Sequence, residues 1–404
     1  MRIVVQKYGG TSVADANRLR NVARRVIQTY KKGFAPVVVV SAQGDTTDIL
    51  LQKAYEISPN PSARELDMLL STGEQISIAL LAMAIEAQGY AVISLTGGQV
   101  GIRTDDTHTK AKIVGIDTRR ILRELGAGRI VIVAGFQGVN QEEDITTLGR
   151  GGSDTSAVAL AAILEAESCE IYTDVDGVYS ADPRIVPGAR KLAAISYDEM
   201  LELASLGARV LHLRSVEIAK KYGVPIHVRS SFSESLGTMV VEEVTGMENA
   251  PVVTGIAHTT DVAKVTVMGV PDRPGVAASL FAALAGRAVN VDMIIQSASR
   301  AGINDISFTV AKTDIDAAVE AARALQKELG AEGVAAESGV GKVSIVGAGM
   351  ISHPGVAATM FRVMASEGVN IQMISTSDIS ISCVIDAAFV EKVVRALHKV
   401  FIET

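Results

Sequence analysis

Two polar segments carry residue types suited to binding or transferring a phosphoryl group. Lys7 stands before Gly9 and Gly10, so one cation and two glycine amides could neutralise phosphate charge. The lysine precedes the glycines, which excludes a Walker A loop. Farther along, residues 149–154 (GRGGSD) place glycines and one arginine at the start of a helix, and a helix N-terminus attracts phosphate or carboxylate. We predict an anion site there; a tight structural turn with a solvated arginine is the alternative.

A carboxylate at residue 74 lies beside a third apolar segment. We predict a helix over residues 76–87, with Glu74 near its start. Glu74 could complement the helix dipole or hold the ammonium group of a small substrate, and the sequence leaves both open. Residues 104–110 are also polar, and we predict a surface loop there rather than a site.

Apolar runs precede these polar segments and predict buried strands, at residues 3–6, 37–40, 129–136 and 169–173. In open α/β sheets, ligands bind beyond the carboxyl ends of the strands. Helices alternate with the strands; we expect Asp15 to cap the first helix, and Ser153 and Asp154 to cap the one that follows the glycine-rich loop. The pattern predicts a mostly parallel sheet covered by helices on both faces.

The composition excludes several classes of protein. The 404 residues suffice for two or three domains, and 48% of them are hydrophobic, as in a globular protein. The net charge is -7 and Trp is absent, which argues against nucleic-acid binding. Cys169 and Cys383 are expected to be free thiols in a reducing compartment, and no histidine spacing indicates a structural metal. The longest apolar window, residues 76–85, is too short to span a membrane, and no signal-peptide pattern is present. We therefore expect a cytoplasmic protein.

Five motifs follow one another along the chain: KYGGTS at 7–12, SAQGDTTD at 41–48, STGE at 71–74, LGRGGSDT at 148–155 and TDVDGVYSADPR at 173–184. In this order they resemble the aspartate kinases of the amino acid kinase family, over essentially the whole chain. The resemblance implies a three-layer αβα fold and transfer of the γ-phosphoryl group of MgATP to the side-chain carboxylate of L-aspartate. The product, 4-phospho-L-aspartate, would lead to lysine, threonine and methionine.

The resemblance also implies roles for individual residues. Catalysis would depend on Lys7, Glu74 and Asp154, with Lys7 stabilising the phosphoryl group in flight and Asp154 orienting Lys7 or helping to organise Mg²⁺. ATP would be bound by Lys7, Tyr8, Gly9, Gly10, Ser41, Thr173, Asp174, Tyr179, Asp182, Arg184, Arg209 and Val210. Aspartate would be bound by Thr47, Glu74, Arg150, Gly151, Gly152, Ser153 and Asp154, with Glu74 on its ammonium group and Arg150 on a carboxylate. No separate protein-bound metal is implied.

Three residues depart from the family pattern. Gln43, Glu143 and Leu213 stand where Met, Gly and Pro are common. Leu213 lies beside the expected ATP pocket and so bears on its adenine side. None of the three replaces a charged catalytic group.

The C-terminal part of the chain contains a repeat. PGVAA at 274–278 recurs at 354–358, and VNxxMI at 289–294 recurs at 369–374. Each copy follows the βαββαβ order of a ferredoxin-like module, but the second copy ends before its last strand. We predict that residues 252–258 supply this strand, so that the first copy is inserted into the second.

The repeats resemble ACT domains, which sense amino acids. The implied domains are a catalytic domain over 1–245, a linker with the completing strand over 246–264, and ACT domains over 265–340 and 341–404. The implied effector-binding residues are Asp272, Pro274, Gly275, Val276, Ala277, Asn290, Val291, Asp292 and Gln296 in the first copy, and His353, Gly355, Val356, Ala357, Asn370, Ile371 and Ser377 in the second. Lysine, threonine or both would be the effectors; a packing module without a ligand is the alternative.

Several further expectations concern partners and rival functions. ACT domains usually act by pairing across subunits, so a homodimer or larger assembly is expected. Met247 lies in the linker, and an internal start there would give a shorter regulatory subunit. A related kinase for glutamate or acetylglutamate, or an amino-acid sensor with a decayed kinase domain, stays open. The STGE segment and the paired repeats favour aspartate, and the charged residues Lys7, Glu74, Arg150 and Asp154 argue against decay.

Overall fold

The computed structural model describes residues 1–208, 210–244, 251–299 and 301–403. Within them the chain forms two compact units, the first made of residues 1–178, 191–204 and 210–244, and the second of residues 179–190, 205–208 and 251–403. The predicted catalytic domain therefore differs from the first unit in two short segments that belong to the second. Residues 246–250 of the predicted linker, and residue 245 before them, lie outside the described residues.

The first unit is an α/β domain. Its strands are β1 (Arg2–Tyr8), β2 (Phe34–Val40), β3 (Val92–Leu95), β4 (Ile102–Thr104), β5 (Ile113–Ile116), β6 (Ile130–Ala134), β7 (Gln137–Val139), β8 (Ile145–Thr147), β9 (Cys169–Thr173), β10 (Ala194–Ser196), β11 (Ile226–Ser230) and β12 (Thr238–Val241). Its helices are α1 (Ala16–Lys31), α2 (Thr46–Ile57), α3 (Ala63–Glu86), α4 (Arg119–Gly126), α5 (Gly152–Ile163), α6 (Tyr197–Ser205) and α7 (Leu213–Tyr222).

The main sheet of this unit has the strand order β10-β12-β11-β9-β1-β2-β6-β3 in the described residues, and every pair except β11 with β12 is parallel. The central strands are apolar and buried on both faces, as parallel strands between helical layers must be. Helices α1 and α3 share an apolar core with one face, and α5 packs on β1, β2 and β9. The predicted three-layer fold is thus confirmed. A smaller mixed sheet has the order β5-β4-β7-β8.

Local signals explain the first helix well. Asp15 Oδ1 accepts hydrogen bonds from the backbone N–H groups of Asn17 at 2.8 Å and Arg18 at 2.9 Å, so the predicted N-cap is confirmed. The buried side of α1 carries Leu19, Val22 and Val26 at helical spacing.

Helix α3 differs from the prediction. It begins at Ala63 rather than at residue 76, which places Glu74 in the middle of the helix. The sequence pattern does not predict the first part of the helix, because its buried face carries Gly73 and polar residues such as Asp67 and Ser71 instead of apolar ones. With 24 residues, α3 is also long and apolar enough to cross a membrane, unlike the shorter window judged from the sequence. Its buried carboxylates and its place in the core of the first unit identify it as the core helix of a folded domain.

The second unit contains two ferredoxin-like modules. Its strands are β13 (Gly255–Thr259), β14 (Ala263–Pro271), β15 (Ile294–Gln296), β16 (Ile303–Val310), β17 (Gly333–Glu337), β18 (Val340–Val346), β19 (Met373–Thr376) and β20 (Ser380–Asp386). Its helices are α8 (Val276–Gly286), α9 (Ile315–Leu329), α10 (Val356–Ser366) and α11 (Val390–Phe401).

The pairing of strands shows how the two modules are interleaved. One sheet has the order β15-β16-β14-β17 and the other the order β13-β18-β20-β19 in the described residues. Strand β13 pairs antiparallel with β18, with Gly255 opposite Val346. Because β13 precedes the whole first copy along the chain, the first module is inserted between the last strand of the second module and the rest of it.

Candidate active site

The carboxyl ends of four parallel strands meet at one edge of the main sheet. Tyr8 at the end of β1 pairs with Val40 of β2 and Tyr172 of β9, and Val40 pairs with Ala134 of β6. The loops that follow bind one another: Ser41 N donates to Tyr8 O at 3.1 Å, and Gly9 N donates to Tyr172 O at 3.3 Å. The register thus gathers three of the predicted motifs at the edge where ligands bind in such sheets.

The glycine after this first strand allows two loops to approach closely. A Cβ atom at Gly10 would lie 2.7 Å from Ala42 O, and Gly44 N donates to Gly10 O at 3.1 Å. Any larger residue at position 10 would separate the loop after β1 from the loop after β2.

Lys7 and Asp154 form an ion pair at this edge. Lys7 Nζ lies 2.6 Å from Asp154 Oδ1, and each side chain is only 12% exposed. Lys7 is in β1 and Asp154 in the first turn of α5, so the packing of α5 on the sheet joins two residues that are far apart in the sequence. The Asp154 carboxylate therefore fixes the orientation of the Lys7 ammonium group.

Glu74 is a buried carboxylate, and one of its two oxygens has no hydrogen-bond partner in the described residues. Gly73 brings α3 against the loop after β2, since a Cβ atom at Gly73 would lie 2.8 Å from the Ala42 Cβ. Glu74 Oε1 accepts a hydrogen bond from Ala42 N at 3.0 Å, while Oε2 is buried without a partner in the described residues. Burial raises the pKa of Glu74 to about 7, and the Ala42 amide opposes that rise. A mid-helix position removes the dipole interpretation, because the dipole acts on the first and last turns.

The glycine-rich loop enters α5 differently from the prediction. The N-cap residue is Gly151, with φ of 68°, and neither Ser153 nor Asp154 caps the helix. Both residues lie in the first helical turn, and both are buried. Capping would have turned the Asp154 carboxylate onto its own backbone; instead that carboxylate is available to Lys7. Arg150, in contrast, is exposed.

His212 and Arg214, which the sequence did not single out, contact the glycine-rich loop that precedes α5. A Cβ atom at Gly151 would lie 2.1 Å from His212 Cγ, so the imidazole packs directly on the glycine. Arg214 donates to Leu148 O at 3.1 Å and to Ala111 O at 2.8 Å, and burial lowers the pKa of its guanidinium group. Both residues start α7, and no local pattern marks them because their partners are more than 50 residues away.

Leu213 lies at the first position of α7, after the N-cap His212. His212 has φ of -79° and ψ of 133°, a conformation that a following proline favours, and the first helical position suits proline because its N–H has no intrahelical partner. We expect Leu213→Pro to raise the free energy of unfolding by about 0.4–1 kcal/mol, measured by thermal unfolding. Leu213→Ala is the control; a lower midpoint for the proline variant than for the alanine variant would contradict the expectation.

The other predicted nucleotide residues are distributed as follows. The Tyr8 side chain is fully buried and its ring stacks on Tyr172 with centroids 4.6 Å apart, so only the backbone of Tyr8 reaches the loop. The Tyr8 side chain is therefore part of the core, and its predicted role in binding ATP stays a prediction for its backbone. Ser41 and Val210 are half-buried, and Thr173 donates to Asp174 at 3.0 Å. Arg209 lies outside the described residues.

Residues 179–184 belong to the second unit. Asp182 and Arg184 form an ion pair at 2.7 Å, and the hydrogen bonds from Arg184 lower the pKa of Asp182. Thr47, predicted to bind substrate, lies half-buried in the first turn of α2 in the first unit.

Each repeat of the second unit has a cavity beside its Pro-Gly loop. The first-copy cavity, of about 190 Å³, is lined by Pro271, Asp272, Arg273, Pro274, Gly275, Val276, Ala277, Gln296, Asn304 and Ile306. The second-copy cavity, of about 210 Å³, is lined by Met350, His353, Gly355, Val356, Ala357, Thr376, Ser377, Asp378 and Ile381.

Some predicted effector residues lie away from these cavities. The cavity linings do not include Asn290, Val291, Asp292, Asn370 and Ile371. Asp292 instead forms an ion pair with Lys342, which is buried in the other module. Asn304, which the sequence did not single out, also lines the first cavity; the residue is 5% exposed, and its Oδ1 is buried without a partner in the described residues.

Comparison with known proteins defines the class. The amino acid kinase family matches residues 2–230, and the ACT domain family matches residues 265–326 and 343–401. The first unit is thus an amino acid kinase domain, and it is joined to a pair of ACT domains.

The relatives define the family more narrowly. The chain is 55% identical to the aspartokinase of Geobacillus stearothermophilus and 54% identical to that of Mycolicibacterium smegmatis, covering 99% of this chain and 97% and 96% of theirs. The crystal structure of E. coli aspartokinase III in complex with aspartate and ADP (R-state) matches with a TM-score of 0.81 at 27% identity, over 98% of this chain and 99% of that one. The chain belongs to the aspartokinases.

Proposed function

We propose that the protein transfers the γ-phosphoryl group of ATP to the side-chain carboxylate of L-aspartate, giving 4-phospho-L-aspartate in the first step of lysine, threonine and methionine biosynthesis. The observation that carries this proposal is the buried, unpaired Oε2 of Glu74 at the sheet edge that holds the Lys7–Asp154 pair. A buried carboxylate oxygen without a partner is costly. An ammonium group from the substrate would satisfy it.

The remaining substrate contacts follow from charge. Arg150 is exposed on its glycine-rich loop, and a guanidinium group binds a carboxylate through two parallel hydrogen bonds. Glu74 on the ammonium group and Arg150 on one carboxylate leave the other carboxylate of aspartate free to react. Ser153 and Thr47 complete the polar surroundings.

The phosphoryl transfer itself needs no nucleophile from the protein, because a carboxylate oxygen of aspartate attacks the γ-phosphorus. What the protein supplies is positioning and charge neutralisation. Lys7 stabilises the phosphoryl group as charge develops, and Asp154 keeps its ammonium group in place. The Gly9 amide already donates to Tyr172 O, so the Gly10 amide would be the donor to a phosphate oxygen, while Gly9 would allow the phosphate to approach the backbone closely.

ATP would bring Mg²⁺ with it. The described residues hold no group of three or more His, Cys, Asp or Glu side chains that could bind a metal ion alone. Phosphate oxygens would therefore be the main ligands of the ion, with Asp154 the acidic side chain beside Lys7. The ion would neutralise phosphate charge in the way that magnesium does in other kinases. Thr173, Asp174, Tyr179, Asp182, Arg184, Arg209 and Val210 stay the proposed nucleotide residues.

We further propose feedback control by lysine, threonine or both at the cavities of the ACT domains. E. coli aspartokinase III has also been solved in complex with lysine and aspartate in a T-state, with a TM-score of 0.78 to this chain. Each cavity offers an acidic side chain, Asp272 or Asp378, for an amino group. We propose a cytoplasmic homodimer or larger assembly; the internal start at Met247 lies outside the described residues.

Coupled measurement of ADP formation tests this function. The enzyme is assayed with aspartate, glutamate and acetylglutamate, and then with aspartate plus lysine, threonine or both. We expect turnover with aspartate alone among the three substrates, and inhibition by at least one effector. The absence of aspartate-dependent turnover would contradict the main proposal, and unchanged turnover with every effector would contradict the regulation.

A further inference from the structure

Asp67 is a fully buried carboxylate of α3 that the phosphoryl transfer does not use. Asp67 Oδ1 accepts a hydrogen bond from Thr147 Oγ1 at 2.5 Å, and Oδ2 lies 2.7 Å from His108 Nδ1. The backbone N–H of Thr109 donates to both oxygens, at 3.1 Å and 3.0 Å. A buried carboxylate is stable only with such partners. They come from strand β8, which ends at Thr147, and from the loop that contains His108 and Thr109.

Thr109 is held in a conformation that its side chain disfavours. Its φ is 65°, in the left-handed region, where a β-branched residue is strained. The two hydrogen bonds from its N–H to Asp67 oppose that strain. Residues 104–110, predicted as a surface loop, are thus bound to α3 through His108 and Thr109.

The strained residue supports the loop that carries Arg150. A Cβ atom at Gly149 would lie 3.1 Å from Thr109 O, so the two loops are in direct contact. The backbone joins them again where Ala111 N donates to Thr147 O at 2.9 Å. Arg214 and His212 hold the other side of the same loop. Arg150 is exposed, but the backbone on both sides of it is fixed.

We infer that Asp67 is a positioning residue for the substrate: it holds Thr109 in the left-handed conformation, Thr109 supports Gly149, and Gly149 sets where Arg150 meets the carboxylate of the amino acid. This inference rests on the proposed role of Arg150. Helix α3 would then contribute two residues to substrate binding: Glu74 would bind the ammonium group, and Asp67 would position the loop that carries Arg150.

The test compares steady-state kinetics of the full-length enzyme and its variants. Asp67→Asn is expected to raise KM for aspartate about tenfold, while kcat and KM for ATP change by less than about threefold. Thr109→Gly is expected to raise KM for aspartate only about twofold, because glycine adopts φ of 65° without strain. In the double variant, glycine no longer needs Asp67, and KM for aspartate is expected to return to within about threefold of the wild-type value.

This rescue separates positioning from a purely structural role, since a loss of packing at Asp67 would not be repaired by a glycine at position 109. Asp117→Asn removes an exposed carboxylate of the same unit and serves as the control. If Asp67→Asn does not fold, as judged by its thermal midpoint, Thr147→Val takes its place and removes one donor to Asp67.

The outcomes are distinct. A folded Asp67→Asn variant with unchanged KM for aspartate, an equal rise in KM for ATP, or the absence of rescue by Thr109→Gly would overturn the inference. Arg150→Lys tests the proposed function on which it rests. If Arg150→Lys leaves KM for aspartate unchanged, the role of Arg150 is wrong; if it raises KM and Asp67→Asn does not, only the inference fails.

Discussion

Lys7→Ala is expected to lower kcat by about 10³- to 10⁵-fold, the range seen when a cation that stabilises a transferring phosphoryl group is removed. The side chain is nearly buried and lies 2.6 Å from Asp154, so its charge acts in a poorly solvated site. The loss should fall on kcat more than on KM for aspartate, because the charge is needed most as the transition state forms. Single-turnover measurement of ADP formation at saturating substrates reports this directly.

The fold should survive the change. Removing Lys7 leaves Asp154 without its cation, at a cost of about 1–3 kcal/mol in the free energy of unfolding, which a thermal scan can detect. Arg2→Ala is the matched control, because Arg2 lies in the same strand as Lys7. The change breaks an exposed ion pair between Arg2 and Glu167 and should leave kcat unchanged. A decrease in kcat of less than about tenfold for folded Lys7→Ala would refute the assigned role.

Glu74→Gln is expected to raise KM for aspartate about 100-fold, because the amide cannot neutralise a buried ammonium group. The wild-type enzyme should also show a pH dependence that the variant lacks. Burial raises the pKa of Glu74 to about 7, so the carboxylate is charged above that pH and protonated below it. Therefore kcat/KM for aspartate should rise as the pH increases through about 7 and then level off.

The free energy of unfolding of the wild type should decrease as the pH rises, whereas its kcat/KM for aspartate should increase. Glu74 has a higher pKa in the folded protein than in the unfolded chain, so charging it destabilises the fold as the pH rises from about 4 to about 7. Glu74→Gln should then be at least as stable as the wild type at pH 8 while it binds aspartate poorly. Glu86→Gln, at the exposed end of the same helix, is the control. A pH profile of kcat/KM that is the same in wild type and Glu74→Gln would rule out this carboxylate as the ammonium ligand.

The strands and the first helix could be predicted because their signals are local. The apolar runs at residues 3–6, 37–40 and 169–173 belong to strands that pack between two helical layers, so consecutive residues must be apolar on both faces of the sheet. Asp15 caps its helix through contacts only two and three residues away. Helix α3 was predicted too short because its polar residues are satisfied by distant partners, such as Ala42 for Glu74 and Thr147 for Asp67.

The same distinction holds within the site. Lys7, Glu74 and Asp154 were singled out from their motifs, and the structure brings Lys7 and Asp154 into contact. Only the structure shows that the Tyr8 ring stacks on Tyr172 in the core, because strand alternation turns it to the opposite face of the sheet from Lys7. His212 and Arg214 were missed because a residue that supports a loop from behind leaves no spacing in the sequence.

By itself, the sequence determined the kinase motifs, the repeat of ACT domains and the family, since each depends on residue types at short spacing. Only the tertiary structure decided which of those residues meet. The Lys7–Asp154 pair joins strand β1 to helix α5. The unpaired oxygen of Glu74 is buried because Gly73 lets α3 approach the loop after β2. Such contacts depend on close packing between distant segments, which no local pattern encodes.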